Sequence, residues 1–184
     1  AWKTSYHWDG GVNHLEVRSL GPITDSNEMG ETLENVLLKL RTNLPYPQLF
    51  KSAFGDTAIS SQRLLKALAQ FTGSLISANS KYDRVKNGKE KFNVYEQNGY
   101  EIFKTNCSTC HSEPLFTNDK FSNNGSGLNK QGDVGRKRIT GLSSDSLQFK
   151  VPSLRNIQLT PPYMHDGSIG YITKVINHYT TIDS

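Results

Sequence analysis

The alternation of apolar and polar residues predicts a mostly α-helical chain with few strands. Between Glu28 and Asn43 the apolar residues recur at offsets of 4, 7, 8 and 11 positions, which places them on one face of a helix. These residues are Met29, Leu33, Val36, Leu37 and Leu40. The segment 44–47 contains two prolines, so we expect this helix to end there.

Three further segments have a helical pattern. A second helix is predicted to begin at Ser60 or Ser61, either of which would cap it. Its apolar face comprises Leu64, Leu65, Leu68, Phe71 and Leu75. Asn93 followed three residues later by Glu96 predicts the start of a third helix, which runs into the only two cysteines of the chain. A last helix is predicted at about 171–179, with Ile172, Val175, Ile176 and Tyr179 on one face.

The remaining segments are predicted to be irregular. Residues 1–25 contain several turn signals, and 77–91 is polar and typical of a linker or domain junction. Residues 118–132 are rich in Asn, Gly and Ser, while 151–156 and 159–162 favour extended or turn conformations. The sequence shows no internal repeat.

Composition indicates that this chain does not build its core from side chains alone. Its 184 residues suffice for one domain, or for one domain and part of another. The hydrophobic share of 35% is low for a self-sufficient domain of this size. A large apolar cofactor, or a missing piece of chain, would account for the deficit.

Charge and hydropathy exclude two classes of function. The 21 basic and 17 acidic residues give a net charge of +4, and the basic residues are scattered, which argues against nucleic acid binding. No apolar run approaches the roughly 18–20 residues that a membrane helix needs. The chain begins without Met and without a signal-peptide pattern, so we expect a processed or excised product.

The two cysteines carry the clearest chemistry in the sequence. Cys107, Cys110 and His111 form a C-x-x-C-H motif, which is typical of covalent c-type haem attachment. Two thiols at this spacing can each add to one vinyl group of a haem, and the adjacent imidazole becomes the proximal ligand of the iron. Such attachment implies an exported compartment, usually the periplasm.

Three other interpretations of the motif are less favourable. A structural zinc site needs four ligands, and two would have to come from the remaining histidines at unfamiliar spacings. A thioredoxin-like redox pair should follow a strand, whereas the residues before Cys107 have a helical pattern. A plain disulfide between Cys107 and Cys110 is the third alternative.

The sixth ligand of a haem iron bound at this motif remains open from the residues alone. Candidates are Met29, Met164, one of the other four histidines, or a tyrosine. Met164 lies in the proline-containing segment 161–167, which is suited to presenting a ligand, and Tyr179 lies on the apolar face of the last helix. The alternative for Met164 is packing against the haem edge, and for Tyr179 it is an ordinary core aromatic.

Several segments resemble the bacterial di-haem cytochrome c peroxidases and MauG-type enzymes. The most specific resemblance is the run 149–156 followed by 159–160 and 162–167. The other matching segments are 8–10, 21–22, 27–29, 53–55, 67–71 and 99–103. The family has two haem domains, each with its own C-x-x-C-H, and this sequence contains only the second motif.

The resemblance therefore implies a fragment, cut at both ends, of a longer protein. Residues 1–80 would be the trailing part of the N-terminal, peroxidatic haem domain, itself cytochrome c-like. Residues 81–184 would form the C-terminal, electron-transfer domain with the fold of a class I cytochrome c. One haem c is expected in this chain, and a second haem in the missing N-terminal haem domain.

The resemblance also assigns roles to individual residues. Trp8 aligns with the tryptophan that relays electrons between the two haems, and Glu28 aligns with the acid beside the peroxidatic iron. The alternatives are a core indole for Trp8 and a helix N-terminal acid for Glu28. Thr160 and Pro162 align with residues whose backbone carbonyls bind Ca²⁺ between the domains.

The resemblance favours Tyr179 over Met164 as the sixth ligand. In the peroxidases a Met serves the C-terminal haem, some way after a His-Asp-Gly triplet, and in MauG-type enzymes a Tyr stands there. By spacing from Thr160, that position is Tyr179 in this sequence, and Met164 comes too early. This departure from the peroxidase pattern favours the MauG side of the family.

The implied function is a periplasmic peroxidase that reduces hydrogen peroxide to water, with electrons relayed through the C-terminal haem. The electron source would be a small cytochrome c, a cupredoxin or an oxidised substrate, and the peroxidases of this family often form homodimers. The alternative is a monohaem cytochrome c that only carries electrons.

Overall fold

The computed structural model describes residues 3–181, which form two compact units. One unit comprises the described residues up to Tyr6 together with Val12–Ile76. The other comprises His7–Gly11 together with the described residues from Ser77 onward. The short segment His7–Gly11 is therefore separated in sequence from the unit to which it belongs. The predicted division into two haem domains at 80 and 81 differs from these units by that segment and by 77–80.

The secondary-structure elements of the first unit are helices. Its helices are α1 (Leu15–Arg18), α2 (Leu20–Thr24), α3 (Leu33–Thr42), α4 (Tyr46–Phe54) and α5 (Ser61–Ser74). Four buried apolar side chains, Leu37, Phe50, Ile59 and Leu64, form its core. Full burial of such a side chain contributes about 1.5–3 kcal/mol, so this cluster stabilises the unit.

Helix α3 begins five residues later than the apolar pattern predicts. Thr32 caps it, because its hydroxyl oxygen accepts a hydrogen bond of 3.2 Å from the Asn35 amide. Residues 26–29, including Glu28, form a turn instead. The prediction of a helix from Glu28 was therefore wrong at its start, and Glu28 is not a helix N-terminal acid.

Other helices of this unit were predicted well or missed for identifiable reasons. Helix α5 begins as predicted, with the Ser60 hydroxyl accepting from the Arg63 amide at 3.3 Å. Helix α4 was missed because the prolines were taken as a helix end. Pro47 lies in the first turn of α4, where a missing amide N–H costs nothing. The short α1 and α2 lie within 1–25, which was expected to be a loop.

The second unit is also mainly helical and has little sheet. Its elements are α6 (Lys81–Lys86), α7 (Val94–Asn106), β1 (Phe121–Ser122), α8 (Lys137–Thr140), β2 (Phe149–Lys150) and α9 (Ile172–Thr181), with two short 3₁₀ turns at Ser143–Asp145 and Ile157–Leu159. Strands β1 and β2 are antiparallel, with Phe121 opposite Lys150. The prediction of a mostly helical chain is confirmed.

Helix α7 leads directly into the cysteine motif. Asn93 and Glu96 form the predicted capping box: the Asn93 side chain accepts from the Glu96 amide at 2.9 Å, and the Glu96 side chain from the Asn93 amide at 2.8 Å. The helix ends at Asn106, directly before Cys107. The motif therefore lies at the C-terminal end of a well-capped helix.

A buried ion pair fixes the surroundings of the motif. Arg155 makes two hydrogen bonds of 2.9 Å to the two carboxylate oxygens of Asp83. The same guanidinium donates to the carbonyl oxygens of Pro114, at 2.7 Å, and Ser77, at 2.9 Å. One side chain thus joins three separate segments of the second unit.

No helix among residues 3–181 is both long and apolar enough to span a lipid bilayer.

Candidate haem site

The cysteine motif forms one tight turn at the end of α7. The Cys107 amide donates to the Phe103 carbonyl oxygen at 2.8 Å, and the His111 amide donates to the Cys107 carbonyl oxygen at 2.8 Å. Both thiols are free and partly buried. Burial, with a contribution from the neighbouring Cys110 thiol, raises the pKa of Cys107. The disulfide interpretation is not supported, since both sulfurs remain available for thioether bonds.

The orientation of His111 fits a proximal haem ligand. Its Nδ1 lies 3.1 Å from the carbonyl oxygen of Phe116. Because a carbonyl oxygen only accepts, Nδ1 must carry the ring proton and donate it. This fixes the tautomer and leaves the lone pair of Nε2 for a metal, which is the usual arrangement of metal-binding histidines.

The zinc interpretation finds no support in the described residues. No group of three or more His, Cys, Asp or Glu side chains within 3–181 is placed to hold a metal ion. A haem iron needs no such group, because the porphyrin supplies four of its ligands and the protein supplies only the axial ones.

Tyr179 interacts electrostatically with the two cysteines. It lies on α9, and 52% of its surface is accessible. Enough protein surrounds the phenol that burial raises the pKa of Tyr179, and interaction with Cys110 and Cys107 raises it further. A hydrogen bond with Asn124 opposes this rise. The phenol therefore lies near both haem-attachment positions.

Met164 lies near the same asparagine. Its sulfur is 3.4 Å from Nδ2 of Asn124, and its backbone adopts a left-handed conformation with φ of 70°. The carbonyl oxygen of Asn124 in turn lies 2.8 Å from Nε2 of His178, the neighbour of Tyr179. Asn124 thus connects both candidate ligands. Sequence analysis missed it, because it is one of several asparagines in the loop 118–132.

Trp8 lies in an aromatic cluster of the second unit. Its ring is 5.6 Å from that of Phe149 and 5.5 Å from that of His165, while Phe149 and His165 stack at 3.8 Å. The Arg138 guanidinium lies 5.1 Å from the Trp8 ring centre and pairs with the buried Asp9 carboxylate at 2.5 Å. Trp8 is therefore held between aromatic rings and a cation.

His165 is enclosed within this cluster. Its side chain is 3% exposed, and Nε2 lies 3.5 Å from Oδ2 of Asp133. Its Nδ1 is buried without a hydrogen-bond partner among the described residues. The ring packs on Trp8 and Phe149 rather than on the two cysteines, so His165 is a poorer sixth-ligand candidate than Tyr179.

Glu28 and Met29 belong to the first unit, whereas the cysteine motif belongs to the second. Both lie in the exposed turn of the first unit, where the Glu28 amide donates to the Asp25 carbonyl oxygen at 3.1 Å. Met29 is 65% exposed. The other predicted site residues belong to the second unit.

Thr160 and Pro162 lie on an exposed loop of the second unit. The loop is anchored by the buried Tyr163, whose hydroxyl donates to the Ile157 carbonyl oxygen at 2.9 Å. Ca²⁺ takes carbonyl oxygens as ligands, so an exposed and anchored loop of this kind is compatible with such a site. The remaining ligands would come from elsewhere.

These features agree with comparisons to known proteins. A family model described as di-haem cytochrome c peroxidase matches residues 1–91. The chain is 38% identical to the methylamine utilization protein MauG of Methylophilus methylotrophus, over 97% of this chain and 55% of that protein. It is 35% identical to the cytochrome c551 peroxidase of Nitrosomonas europaea, over 92% of this chain and 52% of that protein.

A solved structure shows the same fold. The crystal structure of a MauG-like protein associated with microbial copper homeostasis matches with a TM-score of 0.83 and 28% sequence identity. The match covers 96% of this chain and 58% of that one. The chain belongs to the di-haem cytochrome c peroxidase and MauG family. It spans about half the length of the curated relatives that it matches.

Proposed function

We propose that this chain binds one haem c and belongs to a peroxidase of the cytochrome c peroxidase and MauG type, which reduces hydrogen peroxide to water. One observation carries the proposal: the free thiols of Cys107 and Cys110 lie beside a histidine whose Nδ1 is held by the Phe116 carbonyl. The family of the chain supports the reaction class.

The residues that would hold the haem follow from this geometry. Cys107 and Cys110 would form the two thioether bonds, and Nε2 of His111 would bind the iron. The bound haem supplies an iron centre that exchanges single electrons. The protein's part is to orient this centre and to set its potential through the axial ligands and their hydrogen bonds. The surrounding unit would then be the class I cytochrome c-like domain.

Tyr179 is the preferred sixth ligand. Its phenol interacts with both cysteines and also, like the Met164 sulfur, with the Asn124 side chain. A tyrosine ligand would place the protein on the MauG side of the family. Met164 remains the alternative ligand.

Trp8 is proposed to relay electrons to and from this haem. Its half-buried ring packs at a tilt against the rings of His165 and Phe149, and the Arg138 guanidinium lies 5.1 Å from the ring centre. Glu28 is proposed as the acid that moves a proton between the peroxide oxygens. It would act at the second haem of the whole protein, which the family pattern assigns to the N-terminal haem domain.

The remaining assignments complete the proposal for the whole protein. Ca²⁺ would bind the carbonyl oxygens of Thr160 and Pro162. Covalent haem attachment would imply a periplasmic protein. Its electron donor would be a small cytochrome c or cupredoxin, or an oxidised substrate, and its assembly a homodimer.

Haem stoichiometry and peroxide turnover test this function. A pyridine haemochrome assay with intact mass should give one haem per 184-residue chain and two haems in the complete protein. The complete protein, loaded with Ca²⁺, should oxidise a reduced small cytochrome or cupredoxin only when hydrogen peroxide is present. Haem incorporation without peroxide turnover in the two-haem protein would instead indicate an electron carrier.

A further inference from the structure

Two tyrosines of the second unit share one carboxylate. The Tyr100 hydroxyl donates to Oε1 of Glu113 at 2.6 Å, and the Tyr82 hydroxyl interacts with the same carboxylate. Lys86 completes the cluster: its ammonium donates to the Tyr100 hydroxyl at 3.1 Å and lies 3.6 Å from Oε2 of Glu113. The Tyr82 and Tyr100 ring centres are 6.2 Å apart.

A continuous row of aromatic rings connects this cluster to the haem motif. The Tyr82 ring meets that of Phe116 edge-on at 4.7 Å, and the carbonyl of Phe116 accepts the Nδ1 hydrogen bond of His111. On the other side, the Tyr100 ring is 5.4 Å from that of Phe92. Each ring separation lies in the range of direct aromatic contact. The row therefore leads from the proximal histidine to Tyr82 and then to Tyr100.

Packing alone does not explain this arrangement. A buried phenol is satisfied by one acceptor, which is often a backbone carbonyl, as Tyr163 illustrates with Ile157. Here two phenols converge on a single charged side chain that also pairs with a lysine. Burial and Glu113 raise the pKa of Tyr82, so the phenol retains its proton at neutral pH. A protonated phenol beside a carboxylate has a short path for its proton.

We propose that Tyr82 and Tyr100 form an electron-transfer station on the His111 side of the haem site, with Glu113 as the proton acceptor. The proposal rests on the function proposed above, because the oxidant is hydrogen peroxide reacting at the peroxidatic haem of the whole protein, which would draw electrons through the haem bound by Cys107 and Cys110.

The electrons and protons of this step balance as follows. Hydrogen peroxide takes up two electrons, and two protons from solvent, its O–O bond breaks, and two molecules of water form. Tyr82 supplies one electron and the donor protein the other. The O–H bond of Tyr82 breaks, its electron passes along Phe116 toward the haem, and its proton moves to Glu113. A neutral tyrosyl radical remains.

Tyr100 then reduces Tyr82. One electron moves from Tyr100 to Tyr82, the proton held by Glu113 returns to Tyr82, and the Tyr100 proton takes its place on Glu113. The radical thereby moves one ring farther from the haem, toward Phe92. A reductant of the donor class ends the sequence by returning one electron to Tyr100, which recovers its proton from Glu113.

Lys86 explains why the carboxylate is required. Its ammonium lies 5.7 Å and 5.5 Å from the Tyr82 and Tyr100 ring centres. A positive charge at this distance disfavours an oxidised phenol that keeps its proton, because that species is itself a cation. Loss of the electron must therefore accompany loss of the proton to Glu113. A glutamine at 113 preserves the volume of the side chain but cannot serve as this base.

Electron paramagnetic resonance of the complete two-haem protein tests the station. Samples are frozen after mixing with hydrogen peroxide, with and without ring-deuterated tyrosine. We expect an organic radical whose spectrum narrows on deuteration, and its loss in Tyr82→Phe and in Glu113→Gln. Tyr95→Phe is the matched control, since Tyr95 lies on the same helix as Tyr100 but is 86% exposed, and it should leave the signal unchanged.

Two outcomes overturn the proposal. One is a haem that reacts with peroxide while no tyrosyl radical forms. The other is a radical that persists in both Tyr82→Phe and Tyr100→Phe. Haem content and circular dichroism identify any variant that fails to fold, in which case Tyr100→Phe and Glu113→Gln replace it in the comparison.

A second arm separates this proposal from the peroxidase function. If peroxide leaves the haem absorption spectrum of the complete two-haem protein unchanged, the peroxidase function has failed. A ruthenium photosensitiser with a sacrificial electron acceptor then supplies a one-electron oxidant without peroxide. A tyrosyl radical that is lost in Tyr82→Phe still supports the station, and a radical of wild-type yield in that variant contradicts it.

Discussion

At the scale of single residues, the Asn124 side chain contacts both candidate sixth ligands. It binds the Met164 sulfur through its amide at 3.4 Å, and it forms a hydrogen bond with the Tyr179 phenol. The thioether sulfur of Met164 could bind an iron only as a neutral ligand. A phenol near both thiols can instead lose its proton to solvent and bind an iron as an anion.

Substitution of these two residues separates the ligands. Tyr179→Phe removes the oxygen and keeps the ring, so we expect a changed ferric absorption spectrum and a higher reduction potential, because an anionic ligand stabilises the ferric state. Met164→Leu keeps the volume and should change neither. Absorption spectroscopy and redox titration of the haem-loaded protein measure both. A spectrum that changes only in Met164→Leu would assign Met164 as the ligand.

The residue scale also shows which parts of the site could be predicted. Cys107, Cys110 and His111 carry distinctive chemistry within five consecutive positions. The Phe116 carbonyl could not be predicted, because a backbone oxygen is present at every residue. Asn124 contacts residues 40 and 54 positions away, and no local pattern records such contacts.

At the scale of elements, capping chemistry predicted helix starts better than apolar periodicity did. The Asn93 and Ser60 caps located α7 and α5 correctly. The apolar pattern alone began α3 five residues early, because Met29 continues the period but lies in an exposed turn. Helix α6 was missed although Ser80 and Asp83 form a capping box, because this helix has only six residues and lies inside a polar stretch.

Gly135 controls how α8 is joined to β2. Its φ is 67°, and a Cβ at this position would overlap the backbone of Gln148. The close approach allows the Arg136 amide to donate to the Gln148 carbonyl oxygen at 2.7 Å. Only glycine meets both requirements, a left-handed conformation and the absence of a side chain.

Alanine at two glycines separates these requirements. Gly141 ends α8 with a φ of 73°, and a methyl group added there would meet no heavy atom of the described residues within 4 Å. Gly141→Ala should cost about 1 kcal/mol through conformation alone. Gly135→Ala should cost roughly 1–3 kcal/mol more, because the backbone must also move. Urea unfolding of the haem-loaded protein measures both, and equal losses would contradict the steric role of Gln148.

At the scale of the whole molecule, the two units bury different kinds of residue. The buried residues of the first unit are Tyr6, Ile23, Leu37, Phe50, Ile59, Leu64 and Ala69, while those of the second are Asp9, Asp83, Gly135, Phe149, Lys150, Val151 and Tyr163. Three of these seven residues of the second unit are charged, and none of the first set is. The low hydrophobic share of the chain is thus expressed in the unit that carries the haem motif, where an apolar cofactor would complete the core.

Composition could predict the shortage of apolar residues but could not assign it to one of the two units. The assignment depends on His7–Gly11, which belongs to the second unit although it precedes α1 to α5 in sequence. The Lys150 amide donates to the Trp8 carbonyl oxygen at 2.8 Å, and Arg138 pairs with Asp9 across 129 positions. Contacts of this range follow from the complete fold rather than from any local pattern.

Charged pairs inside the second unit make its free energy of unfolding depend on pH. Asp83 is 9% exposed and is held by Arg155. Asp83→Asn leaves that guanidinium without its counterion, so we expect a loss of about 3 kcal/mol in the free energy of unfolding near neutral pH. Asp56→Asn is the matched control: Asp56 also pairs with an arginine, Arg63, but its side chain is 59% exposed, and the loss should be at most about 1 kcal/mol.

The pH dependence of these variants distinguishes the ion pair from simple packing. Hydrogen bonds from Arg155 and Ser80 hold the pKa of Asp83 well below its usual range. A carboxyl whose pKa is lower in the folded state stabilises the protein above its unfolded pKa of about 3.9, and this stabilisation disappears as the pH falls toward the folded value. The difference between wild type and Asp83→Asn should therefore be constant at neutral pH and shrink below about pH 4, since the unfolded wild-type chain then takes up a proton that the folded chain does not. Urea titrations at several pH values measure it, and a difference independent of pH would show that Asp83 acts through its shape alone.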